Sequence, residues 1–410
     1  MTEFQRTGLA SNRRRFLQVA GAAGTMAWAA PALATSVNLG LPGGPSEREL
    51  TTAFPQKGEM ILQRTRPPLL ETPLSAFDRG VFTPNDQFFV RWHWAAIPGD
   101  VDVKDFRLNV HGHVNSTLSL TLADVLSLPR VEMAAVNQCS GNSRGLFEPR
   151  VPGGQWLNGA MGNAKWVGVR LRDVLDRAGV KGGAVAVRFK GLDEPVLPDA
   201  PHFLKSLAID HARDHEVMIA YQMNGEQLPL LNGFPMRLIV PGWYSTYWVK
   251  MLTDIEVLNA PDDTYWMTKA YLIPDTPGAD VKPGATGFKT VPINTMLPRS
   301  FFTNVTGAST VKPGVEVALR GLAMGGDCGV AAVDISTDAG ATWQATTLGR
   351  DEGTHSFRQW TARAPAPASG SLGVMIRCTN TRKVTQPNEP NWNGGGFMRN
   401  VIERVKLTVA

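Results

Sequence analysis

Apolar positions along the chain fall into three rhythms. Up to about residue 75 the pattern is weak and proline-rich, and residues 35–75 read as an extended arm leading into a first domain. From Phe88 onward, short apolar runs alternate with brief helical patterns. Phe88 to Trp92 reads as a buried strand with Arg91 inside it, and Asp105 to Val110 alternates as another. Thr121 to Leu128 reads as a short helix, with Thr121 as its cap and Asp124 in its first turn. Val131 to Asn137 is a strand running into a small-residue loop. Val169 to Ala178 is amphipathic at helical spacing and is stopped by Gly179. Ala184 to Phe189 reads as a strand and Leu204 to His211 as a helix. Val217 to Gln222 is a strand ending at the turn Asn224-Gly225, and Arg237 to Val240 and Val249 to Leu258 are further strands. Without regular strand–helix alternation, this is an α+β domain rather than a doubly wound sheet.

The rhythm changes after Pro274. Residues 275–287 have the composition of a linker. Beyond them strands recur at short spacing: Val315 to Gly321, Val330 to Ser336, Trp343 to Leu348, Phe357 to Arg363, Leu372 to Thr379 and Val401 to Val409, with a turn at Asp338-Ala339-Gly340. That is the pattern of an all-β sandwich. The organisation expected is a leader over 1–34, an arm over 35–84, an α+β domain over 85–280 and a sandwich over 281–410.

Composition adds little to this picture, but the placement of charge adds more. The formal net charge is +5, of which residues 1–34 supply +3 through Arg6, Arg13, Arg14 and Arg15 against Glu3. The rest of the chain is nearly balanced, which argues against nucleic acid. Ser11-Asn12-Arg13-Arg14-Arg15-Phe16-Leu17 is a twin-arginine signature. An Ala- and Gly-rich apolar stretch follows, and Ala32-Leu33-Ala34 is a small-residue cleavage site. That export route carries folded proteins, usually because a cofactor is inserted first. The expected location is the periplasm, with no stable membrane insertion after the leader is removed.

Three cysteines remain, Cys139, Cys328 and Cys378, at spacings that exclude C-x-x-C knuckles and covalent haem. An oxidising compartment permits a Cys328–Cys378 disulfide and leaves Cys139 single. Asn137-Gln138-Cys139-Ser140-Gly141-Asn142-Ser143-Arg144 puts a thiol where a strand meets a small-residue loop, with an arginine five residues on. A thiolate there suits a transition metal, and a guanidinium would lower its pKa or hold an anion. The same residues fit a cysteine hydrolase, a redox thiol or a buried small hydrophobe.

Several collinear segments carry a resemblance to a known family. They are Phe89-Val90-Arg91-Trp92-His93, Gln138-Cys139-Ser140-Gly141-Asn142, Trp156 to Trp166, Gly168 to Leu175, Asn224 to Pro229, Asn232 to Arg237, Val240-Pro241-Gly242 and Val333 to Trp343. Together they resemble the sulfite oxidase family of molybdopterin enzymes, in its bacterial periplasmic sulfite dehydrogenase branch. The resemblance implies a molybdopterin-binding α+β domain followed by an immunoglobulin-like dimerisation domain. It implies a Mo-molybdopterin cofactor with Cys139 as the single protein ligand of molybdenum. Arg91 and Arg144 would flank a small oxyanion. His93 and Tyr271 would support the oxo group and its protons. Phe89 to His93, Asp193, Asn232, Arg237 and Trp248-Val249-Lys250 would bind the pterin and its phosphate.

The match has departures. The family's animal members have a lysine where Pro152 aligns, a histidine where Asn232 stands and an arginine where Gly395 aligns; Arg399 is the expected substitute for the last. They also carry a haem domain for which this chain has no room between Thr35 and Asn85. Electrons would pass from sulfite to a separate periplasmic c-type cytochrome, with no haem in this chain, and the protein would be a homodimer. The alternatives are a sulfane dehydrogenase subunit of a thiosulfate-oxidising complex, a periplasmic sulfoxide reductase, or a non-catalytic exported β-sandwich binding protein with a structural Cys139.

Overall fold

The computed structural model describes residues 35–410, which form one compact unit; the leader read over residues 1–34 lies outside them. Strands dominate, and the helices among the described residues are short. None of these helices is long and apolar enough to cross a membrane.

The segment expected as an extended arm is a sheet. Ser36–Asn38, Glu47–Thr51, Met60–Arg64, Leu69–Glu71 and Val90–Arg91 lie side by side in chain order. Met60, Leu70 and Val90 bury one cluster with Trp92, Leu231 and Met251, while Ile61 joins Leu39 and Leu41 in another. This alternation is only a few residues long per strand, too short to stand out in sequence. Its consequence is functional: Arg91 sits opposite Leu69, fixed by sheet pairing.

A second sheet runs Leu204–Ala208, Ala186–Lys190, Asp254–Leu258, Leu108–Gly112 and Leu118–Leu120. The helix expected over Leu204 to His211 is thus mostly strand, with a single turn at Ile209–Ala212. Pairing from Ala186↔Ala208 to Lys190↔Leu204 overrides the local preference. The strand expected over Val249 to Leu258 is ordered as strand only from Asp254, because the residues before it turn along the cavity described below. In the third sheet, Arg130–Gln138 pairs over its whole length with Met161–Arg170 and ends one residue before Cys139.

Two helices follow their sequence signals closely. Leu122–Leu126 has a capping box in which Thr121 and Asp124 satisfy each other's backbone N–H groups, a device contributing about 1 kcal/mol. The amphipathic helix starts at Leu171 because Val169 and Arg170 finish the preceding strand. It buries Leu171, Val174, Leu175 and Ala178 and ends at Gly179, whose φ of 70° suits glycine.

The C-terminal part is a two-sheet sandwich. One sheet runs Arg299–Phe302, Glu316–Met324, Arg358–Pro365, Thr347–Leu348, and the other Thr310–Val311, Glu403–Val409, Gly370–Asn380, Val330–Ser336, Gln344–Ala345. Their inner faces share a core of Phe302, Leu319, Val333, Trp360, Ile376 and Leu407. Cys328 and Cys378 are both buried free thiols rather than a disulfide. Burial pushes the Cys378 thiol up to about 12, and its Sγ lies 3.4 Å from the Met324 carbonyl oxygen.

Candidate active site

A cavity opens beside Cys139. Cys139 reaches its wall because the strand Arg130–Gln138 ends there and the Cys139 N–H donates to Ala160 O at 2.9 Å. The chain then turns tightly, with Asn142 N–H bonded to Cys139 O and Ser143 at a φ of 64°.

Arg91 ends the strand Val90–Arg91, the arginine strand, and His93 follows two residues on; both line the cavity. Arg91 Nη1 is buried with no hydrogen-bond partner. Such a group is costly unless an anion meets it. His93 Nε2 lies 2.5 Å from the Tyr271 hydroxyl, and the imidazole stacks on Phe203 at 3.6 Å. Burial, followed by the charges of Arg91, Lys250, Lys205 and Arg64, holds His93 well below its ordinary pKa, so it is neutral at physiological pH. Burial raises Tyr271, which therefore keeps its proton. Tyr271 has a φ of 56° and its ring stacks on Phe397 at 5.6 Å.

The opposite wall holds Asn232, Arg237, Trp248 and Lys250. Arg237 lies between the Trp166 and Trp248 rings, 5.2 and 5.8 Å from their centroids, and donates to Asn232 O and Trp248 O. Its Nε is buried without a partner, and burial pulls its pKa down to about 9. Lys250 Nζ donates to Arg91 O at 2.9 Å and sits 4.2 Å above the Trp92 ring. Burial, with Arg237 adding to it, pulls Lys250 down to about 7 against the attraction of Asp193.

Of the other expected site residues, all but Phe89 lie around this wall rather than on it. Phe89 lines the cavity; Val90, Trp92 and Val249 are buried behind it. Asp193 is buried next to Lys250. Arg144 does not line the cavity. It lies across Gly141, where a Cβ would meet its guanidinium at 2.3 Å, and its Nε and Nη2 donate to Gly395 O at 3.1 and 3.0 Å. Its charge still acts on Cys139, Tyr271 and Arg91. Arg399, expected to substitute for an arginine at Gly395, lies off the cavity wall, with its Nε buried and unpartnered. Burial lowers its pKa against the attraction of Glu403, and its carbonyl accepts from Arg299.

Sequence reasoning missed several neighbours. Phe203 forms part of the wall, and Lys205 lies fully buried behind it, donating to Trp266 O at 2.8 Å. Lys57 is buried against Asn232. Burial pulls both lysines down to about 7. A charged residue inside the largely apolar stretch Phe203 to Ala208 was the one signal available for Lys205; Lys57 gave none.

The wall carries Arg91, Arg237 and Lys250 and none of its lining residues is a carboxylate. Asn137 Oδ1, Ser140 Oγ, Arg91 Nη1 and Arg237 Nε are buried and unpartnered around it. These features fit an anionic, heteroatom-rich ligand such as a pterin phosphate. Among the described residues no three His, Cys, Asp or Glu side chains gather as a metal site. A metal here would be held by the Cys139 thiolate together with a non-protein ligand.

Comparison with known proteins agrees with this chemistry. A family model described as an oxidoreductase molybdopterin binding domain matches residues 94–266, and one described as a Mo-co oxidoreductase dimerisation domain matches residues 291–410. Mitochondrial sulfite oxidase of Homo sapiens is 34% identical over 361 residues, covering 84% of this chain and 65% of that protein. The chain thus spans just under two thirds of that relative's length. Sulfite oxidase of Gallus gallus is 32% identical over 351 residues, covering 82% of this chain and 74% of that protein. Sulfite oxidase of Arabidopsis thaliana is 27% identical over 396 residues, with 90% and 98% covered. The crystal structure of the sulfane dehydrogenase SoxCD from Paracoccus pantotrophus has a similar fold, with a TM-score of 0.71 at 24% identity, covering 84% of this chain and 87% of that one.

Proposed function

Because the chain belongs to the sulfite oxidase family and carries that family's Mo-molybdopterin cofactor, we propose that it is a periplasmic sulfite dehydrogenase that passes electrons to a separate c-type cytochrome. The observation that carries this reading is the unpartnered Arg91 Nη1, buried in a cation-walled cavity that Cys139 also lines. When bound, the molybdenum centre supplies the oxygen atom and accepts two electrons. Cys139 would hold the metal; Asn137, Ser140, Asn232, Arg237 and Lys250 would hold the pterin and its phosphate.

The chain's own residues do the rest. Arg91 binds a sulfite oxygen by a charge-assisted bond and leaves the sulfur lone pair free. Arg144 adds positive field from behind Gly141. The neutral His93 imidazole and the Tyr271 phenol share one proton along their 2.5 Å contact. Phe203, Trp266 and Phe397 pack around that pair and keep bulk water from it. We read the C-terminal sandwich as immunoglobulin-like and as the contact of a homodimer.

A sulfane dehydrogenase is the second reading. One feature favours it: the Arg144 fork is spent on the Gly395 carbonyl, which leaves Arg91 alone of the expected oxyanion pair lining the cavity. An uncharged sulfane sulfur needs less positive charge than sulfite does. Arg91→Gln tests the first reading. We expect the sulfite KM to rise about 100-fold with molybdenum content unchanged. An unchanged KM rejects sulfite binding by Arg91.

A further inference from the structure

Lys57 stands in the turn between the strands Glu47–Thr51 and Met60–Arg64, in a segment with no chemical motif. Its ammonium is buried and donates to three acceptors: Asn85 O at 2.8 Å, Phe88 O at 2.9 Å and Asn232 Oδ1 at 2.5 Å. Two of the three belong to residues of the cavity wall, Phe88 and Asn232. Asn232 extends the chain of bonds, since its Nδ2 donates to Phe89 O at 3.1 Å and its own carbonyl accepts from Arg237 Nη1 at 2.9 Å. Lys250 completes the pattern at Arg91 O. The carbonyls of Phe88, Phe89 and Arg91, three residues that line the cavity, are therefore each held by a side chain from elsewhere in the fold.

This arrangement does two things. It fixes which way the Asn232 amide points, because the ammonium accepts nothing and claims Oδ1. It also brings a positive charge up to a wall position occupied by a neutral side chain. The facing carboxylate is Asp86, which opposes the effect of burial on the lysine.

We propose that Lys57 is a positioning residue for the molybdopterin cofactor, orienting Asn232 and the Phe88–Phe89 backbone toward it. The inference rests on the reading that this cavity holds the cofactor. It assigns to the N-terminal sheet a part in holding the cofactor, beyond delivering Arg91.

The test uses full-length holoenzyme. Lys57→Met is purified beside the wild type, and molybdenum and pterin per chain are followed during dialysis, with thermal unfolding measured on the same samples. We expect pterin to be lost about tenfold faster. We expect Lys57→Met combined with Asn232→Ala to lose it more slowly than the product of the two single effects, because part of the lysine's action runs through Asn232. A purely structural role would lower the unfolding temperature and give independent losses. Wild-type retention in Lys57→Met, or losses that multiply in the double variant, overturns the inference. Lys57→Gln, which keeps a donor but not the charge, gives the same decision if the Met variant does not accumulate. A wild-type protein without pterin would instead overturn the cofactor reading itself.

Discussion

The core of the C-terminal sandwich and the wall of the cavity are both buried, yet their atoms are satisfied differently. In the sandwich, Trp360, Ile376 and Leu407 are 0% exposed and meet other apolar side chains, and the Trp360 indole N–H donates to Leu322 O. Around the cavity, Arg91 Nη1, Asn137 Oδ1, Ser140 Oγ and Arg237 Nε are buried without partners. The two buried cysteines repeat the contrast. Cys378 is enclosed by the sandwich and pushed up to about 12, which makes it an inert hydrophobe. Cys139 faces a cavity rich in cations. Burial alone does not mark function; buried polar groups waiting for a ligand do.

Substitutions can break this comparison. The largest effect expected is from Cys139→Ala, which should lower sulfite-dependent turnover on the order of 1000-fold or more, whereas Cys378→Ala should leave turnover per molybdenum unchanged. Comparable losses in both, measured by steady-state kinetics, would erase the distinction. Next comes Trp360→Ala, which should cost about 3–5 kcal/mol in denaturant unfolding through the cavity it leaves, with the sulfite KM unmoved. A raised KM would show that the sandwich core and the site are coupled. Tyr271→Phe removes the partner of His93 Nε2 and should lower kcat about tenfold while preserving the fold. Unchanged kcat would confine that pair to packing.

The smallest effect concerns pH. Lys57, Lys205 and Lys250 are pulled to about 7 and Arg237 to about 9 in the folded chain. The unfolded lysines titrate near about 10.4. Between about pH 7 and 10 the unfolded chain therefore holds more protons, so folding stability rises with pH in that window. The unfolding temperature of cofactor-free protein should increase by a few degrees, roughly 2–4, from pH 7 to 9. Holoenzyme should rise less, since an anionic cofactor favours the charged forms. A fall between pH 7 and 9 would contradict the burial of these cations.

Much of the architecture was legible in sequence where the physics is local. Glu316–Met324 alternates exposed and buried positions before closing with a buried run, so its strand period showed. Thr121 with Asp124, and Gly179, announce helix ends through contacts a few residues long. Arg91 stands out as a guanidinium inside an apolar strand, and Cys139 as a thiol where a strand meets a small-residue loop. What stayed hidden depends on distant partners. The N-terminal strands owe their form to pairing with one another and with the arginine strand. Leu204–Ala208 is extended because Ala186–Lys190 lies beside it. Lys57 meets Asn232 across 175 residues, and Arg144 meets Gly395 across 251. No local pattern encodes such contacts.

The central claim is that the cavity beside Cys139 is a molybdopterin site that oxidises sulfite. The most direct measurement is sulfite-dependent reduction of a c-type cytochrome by the purified full-length protein, with molybdenum quantified in the same sample. The account predicts rapid reduction and close to one molybdenum per chain. Full molybdenum loading with no reduction by sulfite would contradict it and move the substrate to sulfane sulfur.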